Sequence, residues 1–258
     1  MIEFINVVKK YPNGTVAINE LSFSVSDGEA LFIHGKTDSG KTTLRKLMLL
    51  EEKVTSGDIY FDEIPLGKIR QGNIYRHRRK IGVLFRESRL FVHKTLYDNF
   101  LFVLRAVDYR GKALKERARK LLEFAGLWEE RKAYPEMLTP VQRRRAELAR
   151  ALATDPKIII ADEPTASLDV SGGLEILNML MGLNSEGKTV IIFTKDEELS
   201  KQFGKRMITL DFGEVVSDLP KTLENTENTE NTENTEDSQV ESEETAEIVA
   251  EASESISQ

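Results

Sequence analysis

Short apolar segments, which alternate with polar residues or run without interruption, predict a series of β-strands along the chain. Two of them, residues 2–8 and 16–25, begin the sequence and flank Tyr11-Pro-Asn-Gly14, which is typical of a turn. The run Lys157-Ile-Ile-Ile-Ala161 is apolar after its first residue, as in a parallel strand that is covered on both faces. Further strands are predicted for residues 29–34, 58–61, 81–85, 189–193 and 207–210.

Between these strands, apolar residues recur every three or four positions, which predicts helices. Strands that alternate with helices predict an α/β fold in which right-handed crossovers connect parallel strands. Residues 86–156 contain helices but no predicted strand, so we expect them to form a helical insertion. The predicted helices comprise residues 42–50, 95–107, 111–124, 141–153, 171–183 and 197–203.

Charge divides the chain into two parts. The whole sequence of 258 residues has a formal net charge of −7, although residues 221–258 contain one lysine and twelve acidic residues. Residues 1–220, the predicted folded domain, are therefore net positive. Residues 221–258 repeat Glu-Asn-Thr and then remain acidic, which predicts a disordered tail. Such a tail acts either as an interaction or autoinhibitory segment or as a solubilising extension, and we favour the extension.

Composition excludes some chemistry and limits the contact with a membrane. The chain has no cysteine, so it has neither a disulfide framework nor a thiolate nucleophile. Its first residues lack the pattern of a signal peptide, and no apolar run approaches the about 18 residues of a membrane span. We therefore expect any role at a membrane to require a partner.

Residues 35–42 carry the clearest chemical pattern, a phosphate-binding loop of the Walker A type between a predicted strand and a predicted helix. Its glycines allow the backbone N–H groups to approach a phosphate chain, and the helix directs its positive end to the same anion. Lys41 is expected to bind the β- and γ-phosphates, and the Thr42 hydroxyl is expected to bind Mg²⁺. The predicted nucleotide-binding residues of this segment are Gly35, Lys36, Thr37, Asp38, Ser39, Gly40, Lys41, Thr42 and Thr43.

A pair of acidic residues, Asp162 and Glu163, follows the buried strand 157–161. Ligands bind at the carboxyl ends of the strands in parallel sheets, so both side chains should face the phosphate loop. We expect Asp162 to hold the same Mg²⁺ as Thr42, and Glu163 to polarise an attacking water as the catalytic residue.

The order of these parts resembles the nucleotide-binding domain of ABC-type ATPases, over about residues 1–216. The resemblance lies in the phosphate loop, the helical insertion and the segment Asp162-Glu-Pro-Thr-Ala-Ser-Leu-Asp169. Within the family it is greatest to the FtsE group, which acts in cell division with the membrane protein FtsX; shared segments include residues 9–17, 51–57, 79–85 and 95–99.

The resemblance implies a P-loop NTPase fold with a mixed core sheet, a helical insertion and a small antiparallel part. It also implies an ATP-binding homodimer with bound Mg²⁺, held at the inner face of the cell membrane by an FtsX-like partner. Tyr11 would stack on the adenine; alternatively, it is a turn tyrosine that packs on the sheet edge.

Several positions depart from the motifs of that family. Arg86 stands where the family has a glutamine that touches Mg²⁺ and the attacking water, and arginine neither accepts a hydrogen bond nor binds a metal. The signature Leu-Ser-Gly-Gly reads Leu138-Thr139-Pro140-Val141, where Pro140 has no N–H to offer a phosphate of the opposite subunit. Lys195 replaces the switch histidine. Asp38 places a carboxylate near the phosphates, where Lys36 can offset it.

These departures affect hydrolysis more than binding, so the sequence leaves two functions open. One is an ATPase that drives a membrane partner, in the FtsE manner or in that of a related lipoprotein-release system. The other is a nucleotide-responsive scaffold with little or no turnover. Nucleic-acid binding by the basic residues 143–145 is not expected, because no aromatic residues are interleaved with them; we interpret them as a solvated helix surface.

Overall fold

The computed structural model describes residues 1–220, and of Leu199 and Ser200 it describes only the backbone. The predicted acidic tail, residues 221–258, lies outside the described residues. The described part contains ten strands in two sheets. Their bounds are β1 Ile2–Lys10, β2 Val16–Val25, β3 Ala30–His34, β4 Ser56–Phe61, β5 Ile64–Pro65, β6 Ile81–Leu84, β7 Ile158–Asp162, β8 Thr189–Thr194, β9 Arg206–Asp211 and β10 Glu214–Leu219.

The larger sheet has six strands in the order β10-β9-β3-β8-β7-β6. All its neighbours from β9 to β6 pair in parallel, whereas β10 pairs with β9 in the antiparallel sense. The smaller sheet, β2-β1-β4-β5, is antiparallel throughout. The predicted combination of a mixed core sheet and a small antiparallel part is therefore confirmed.

Three of the longer helices begin where the sequence provides a side-chain cap. Thr95 accepts a hydrogen bond from the Asp98 N–H at the start of the helix Leu96–Ala106, and Asp169 accepts one from the Gly172 N–H at the start of the helix Val170–Ser185. Every element between β6 and β7 is helical. The bounds are α1 Lys41–Met48, α2 Ile74–Arg78, α3 Leu96–Ala106, α4 Gly111–Phe124, α5 Pro140–Ala151, α6 Val170–Ser185 and α7 Glu197–Lys201, with 3-10 turns at Leu66–Lys68, Gln71–Asn73, Glu129–Lys132 and Pro135–Met137.

The larger sheet is covered on both faces, as the apolar run in β7 predicts. Ile158 and Ile160 pack into a cluster with the smaller sheet and α1, whereas Ile159 and Ala161 pack into a cluster with α3 to α6. Successive residues of a strand point to opposite faces, so a strand buried on both sides has no polar position.

Three elements have no counterpart in the sequence predictions: β5, α2 and β10. β5 has two residues and α2 has five, so neither spans enough positions to show a period. β10 is the edge strand of its sheet and carries alternating half-buried and exposed side chains. No helix in residues 1–220 is long and apolar enough to cross a membrane.

The expectation of a solvated basic face at residues 143–145 is wrong for Arg144. This side chain is buried and forms an ion pair with the equally buried Glu147, with Nη1 2.9 Å from Oε2. Its other N–H groups donate to backbone carbonyl oxygens, those of Phe85 (2.5 Å), Asp162 (3.3 Å), Glu163 (2.8 Å) and Pro164 (2.9 Å). Arg144, which the sequence pattern places on the surface, therefore connects α5 to the ends of β6 and β7.

We predict that Arg144→Met destabilises the protein by about 3–5 kcal/mol, because it leaves a buried glutamate without its partner. For a chain of this size the melting temperature should fall by on the order of 10 °C. Arg119→Met is the control, since Arg119 is exposed, pairs with Glu123 on α4 and lies 5.2 Å from the centre of the Trp128 ring, and the loss of these surface contacts should cost about 1 kcal/mol or less. Equal melting temperatures of the two variants, measured by circular dichroism, would contradict the prediction.

Candidate functional site

The strand order brings the predicted site residues to one edge of the larger sheet. β3, β8, β7 and β6 are consecutive parallel neighbours, so their carboxyl ends lie side by side. The phosphate loop follows β3, Lys195 follows β8, Asp162 ends β7 before Glu163, and Arg86 lies two residues after β6. Residues that are far apart in the sequence therefore lie close together, because the strands that precede them are neighbours in the sheet.

The phosphate loop is closely packed, which explains both of its glycines. Gly40 has a φ of 101°, and a Cβ at this position would lie 2.6 Å from the Ala17 carbonyl oxygen. A Cβ on Gly35 would clash with the Ser39 side chain and the Leu210 carbonyl oxygen. The loop leads directly into α1, whose first residue is Lys41.

The ammonium group of Lys41 lies inside the loop. It donates hydrogen bonds to the carbonyl oxygens of Gly35 and Lys36, the latter at 2.8 Å, and to the Ser39 hydroxyl at 3.3 Å. Burial lowers the pKa of Lys41 below its usual value, and the Glu163 carboxylate partly opposes that shift. A bound phosphate would supply the negative charge that this buried ammonium lacks.

Tyr11 lies beside the start of α1. Its hydroxyl is 3.3 Å from the hydroxyl of the buried Thr43, and the Lys9 ammonium lies 5.0 Å from the centre of its ring. Thr42, by contrast, has an exposed side chain that faces the same cleft. One face of the Tyr11 ring is thus covered by a cation, and Tyr11 lines the cleft that is predicted to receive the nucleotide.

Glu163 has a constrained position directly after β7. Its φ of 47° is left-handed, and its N–H donates to the Phe193 carbonyl oxygen at 2.8 Å. One carboxylate oxygen accepts a hydrogen bond from the Lys195 N–H at 3.3 Å. The Lys195 ammonium in turn donates to the Thr37 hydroxyl at 3.1 Å, so Lys195 spans the cleft from the end of β8 to the phosphate loop.

Most of the predicted site residues line a single cleft of about 360 Å³. Its charged groups are four cations and three acids, so the cleft is net positive and suited to an anion. The cations are Lys36, Lys41, Arg86 and Lys195, and the acids are Asp38, Asp162 and Glu163.

The segment Thr139-Pro140-Val141 does not line this cleft; it forms the start of α5. Thr139 and Gln142 form a capping box, in which the Thr139 hydroxyl accepts from the Gln142 N–H at 3.2 Å and the Gln142 side chain accepts from the Thr139 N–H at 3.0 Å. Pro140 has no N–H, so Val141 retains the one N–H of this first turn that contacts no acceptor in residues 1–220.

Arg45 is a site residue that the sequence predictions missed. Its side chain is 8% exposed, and its Nε lies 3.0 Å from Oδ2 of Asp162, the predicted ligand of Mg²⁺. The geometry is that of an ion pair without a directed hydrogen bond. Arg45 also packs against the Phe85 ring at 5.3 Å, and its Nη1 lies 3.5 Å from Glu51. Its position beside Leu44 on the inward face of α1 is the one sequence signal that it is buried.

This contact makes the predicted Mg²⁺ ligands a poor fit to the metal. Asp162 already has a permanent cation on one carboxylate oxygen, and its side chain is only 14% exposed. Arg86, at the third predicted position around the metal, is itself a cation. Among residues 1–220, no group of three or more histidine, cysteine or acidic side chains is placed to hold a metal ion.

A larger groove of about 860 Å³ lies between the sheet and the helical segment, away from the phosphate loop. Its apolar residues include Ile74, Tyr75 and Val103, and its charged residues are the three arginines Arg78, Arg79 and Arg150. No aspartate or glutamate lines the groove in the part of the chain that the structure describes. It is a basic and partly apolar surface.

Comparison with known proteins agrees with this geometry. Residues 18–166 match the family model described as ABC transporter. The cell division ATP-binding protein FtsE of Bacillus subtilis is 33% identical over 218 residues, which are 84% of this chain and 96% of that protein. The methionine import ATP-binding protein MetN 2 of Bacillus cereus is 34% identical over 222 residues, which are 84% of this chain but 66% of that protein.

A solved structure shows the same architecture. It is a dimeric ATP-binding cassette in a post-hydrolysis state, bound to ADP and Pi. The TM-score is 0.76 at 33% identity, and the match covers 85% of this chain and 98% of that one.

Proposed function

This chain belongs to the ABC transporter family of ATP-binding proteins, and on that premise we propose that it is the ATP-binding subunit of an FtsE-type complex in cell division. An FtsX-like membrane protein is its partner, and the complex lies at the inner face of the cell membrane. The match to FtsE extends over nearly the whole length of that protein, whereas the match to MetN leaves a third of it uncovered. This difference supports the FtsE role over a methionine-import role.

The observation that carries the proposal is the net positive cleft around the phosphate loop. Gly35 and Gly40 give the loop its close packing, and Lys41 is held inside it. Tyr11 provides an aromatic ring at the cleft for the adenine. These features suffice for binding, because they supply N–H donors, a cation and a stacking surface.

Hydrolysis is slow in this proposal, because the groups around the reacting phosphate are fixed cations. Glu163 is placed to polarise a water, but Arg86 and Lys195 beside it accept no proton or hydrogen bond while charged. Each lost electrostatic contact to a transition state typically costs on the order of 10²–10³ in rate. The protein acts by binding ATP and changing its contacts with the membrane partner, with little turnover.

In this proposal, the ATP-bound homodimer has low stability. In a symmetric dimer, the start of α5 would face the phosphates of the other subunit. Pro140 offers no donor and the Gln142 N–H is bonded to Thr139, so Val141, whose side chain packs against Gly172 of α6, has the one free N–H of this turn in residues 1–220. Both interfaces carry the same deficit, because the two subunits are identical.

The basic groove is the proposed docking site for a cytoplasmic segment of the membrane partner. Its arginines and the absence of acidic lining residues among those described favour an acidic segment with apolar side chains. Tyr75 is half exposed in the groove, with the Arg79 guanidinium 5.3 Å from its ring centre, so it offers an amphipathic contact surface.

We predict that Lys41→Ala lowers the affinity for ATP at least tenfold, about 1.4 kcal/mol, because it removes the ammonium held within the phosphate loop. Isothermal titration calorimetry of both proteins measures the change. Lys46→Ala, five residues further along α1 and outside the cleft, is the control and should bind as the wild type does. Equal affinities of wild type and Lys41→Ala would overturn the proposed function.

A second prediction concerns the dimer. Glu163→Gln should remain monomeric with ATP in light scattering, and adding Pro140→Gly and Val141→Gly should produce an ATP-dependent dimer, because glycine restores a donor and the close approach. ADP is the control ligand, and the melting temperature shows whether α5 survives the loss of Pro140. A stable ATP dimer of Glu163→Gln without these substitutions would contradict the prediction.

A third prediction concerns the groove. Ala106→Glu places a carboxylate among its arginines, on an exposed position of α3, and should at least halve the fraction of protein that sediments with membranes containing a co-expressed FtsX-like partner. Lys120→Glu makes a larger charge change on an exposed position of α4 outside the groove, and should sediment like the wild type. Equal losses in both variants would indicate a general charge effect and refute docking in the groove.

A further inference from the structure

The Asp162 carboxylate at the end of β7 already forms an ion pair with an arginine. Arg45 and Asp162 are both largely buried, at 8% and 14% side-chain exposure, and their charged atoms lie 3.0 Å apart. A guanidinium remains protonated under all ordinary conditions, so it cannot leave the carboxylate by losing its charge. Removing Asp162 from this contact would leave a buried arginine whose other ion-pair partner, Glu51, is 3.5 Å away.

Further cations surround the expected position of the phosphates. Lys36, Lys41, Arg86 and Lys195 line the cleft, and the pairing of Asp162 with Arg45 leaves Asp38 and Glu163 as its unneutralised acids. A divalent cation bound to a triphosphate would add positive charge to a cleft that already has an excess of it. The metal-free triphosphate, as a more highly charged anion, fits this electrostatic environment better.

We infer that this site binds its nucleotide as the metal-free anion, with Arg45 and Arg86 replacing the divalent cation. Arg45 forms an ion pair with Asp162 and neutralises its negative charge, although Arg45 does not itself line the cleft. Arg86 lines the cleft with an exposed side chain and can bind phosphate oxygens directly. Binding of this kind presupposes the proposed function, and it specifies the ionic form of the ligand.

The first experiment compares the ATP affinity of the wild-type protein in excess EDTA and in excess Mg²⁺ by isothermal titration calorimetry. We expect ATP in EDTA to bind at least as tightly as Mg-ATP. Binding that is tenfold or more tighter with Mg²⁺ would overturn the inference and leave the proposed function intact. Absence of binding under both conditions would overturn both.

A second measurement needs no variant and follows the metal itself. Free Mn²⁺ gives a strong electron paramagnetic resonance signal, which is weak when the ion is bound to ATP. Adding excess protein to Mn-ATP should raise the free signal, because the site takes the nucleotide and releases the ion. No change in the signal on addition of protein at saturating concentration would contradict the inference.

Variants then assign the effect to the two arginines. Arg45→Gln removes the charge but keeps a polar side chain, so it should weaken ATP binding in EDTA at least tenfold and let Mg²⁺ restore it. Arg86→Gln should weaken binding in EDTA by a similar factor. Arg117→Gln, on a partly buried arginine that donates to the Leu152 carbonyl oxygen outside the cleft, is the matched control and should retain the wild-type affinities.

An unchanged affinity of Arg45→Gln in EDTA, with a melting temperature close to that of Arg117→Gln, would refute the role of Arg45. If Arg45→Gln does not fold, the wild-type comparison in EDTA and the Mn²⁺ release still decide whether the nucleotide binds without metal.

Discussion

The five N–H groups of one guanidinium connect the helical layer to the sheet. Arg144 donates to Glu147 and to the carbonyl oxygens of residues 85, 162, 163 and 164, so every donor of its planar fork is used. These carbonyls belong to the ends of β6 and β7, from which Arg86, Asp162 and Glu163 enter the cleft. The side chain is buried, so a misplaced donor would lack water as a substitute. The geometry of the site therefore depends on α5 keeping its position.

In the proposed function, the cations that favour nucleotide binding in this cleft also limit hydrolysis. Arginine and protonated lysine attract phosphate oxygens, but they accept no proton, hold no water by a lone pair and bind no metal. Glu163 is the exception among the groups aimed at the reacting phosphate, and its carboxylate is restrained by the Lys195 N–H. In the proposed function, a site with an excess of cations holds a triphosphate and cleaves it slowly. Such a subunit would respond to the concentration of nucleotide and would consume little of it.

The sequence predicts the parts of the fold that are determined locally. The phosphate loop is a contiguous motif and β7 is a continuous apolar run. Parallel strands place the residues that follow them at the same edge of the sheet, so the main site residues could be predicted from the sequence. Arg45 and Arg144 were not predicted, because the apolar period of a helix alone does not separate a buried arginine from an exposed one; the position of Arg45 beside Leu44 is the one signal of its burial. Their partners are up to 117 positions away along the chain, as for Arg45 and Asp162. The edge strand β10 escaped prediction because its apolar face is only half covered.

The position of Arg144 also bears on the order in which the chain can assemble during synthesis. Its partner Phe85 precedes it by 59 residues, but Pro164 follows it by 20. A nascent chain that ends before residue 162 has the arginine and its helix but lacks three of the four carbonyl oxygens. Until β7 emerges, Arg144 has only Glu147, the Phe85 carbonyl oxygen and water as partners, so packing α5 onto the sheet would bury unpaired donors. The nucleotide cleft is therefore completed late, after the segment that contains Asp162 and Glu163 has left the ribosome.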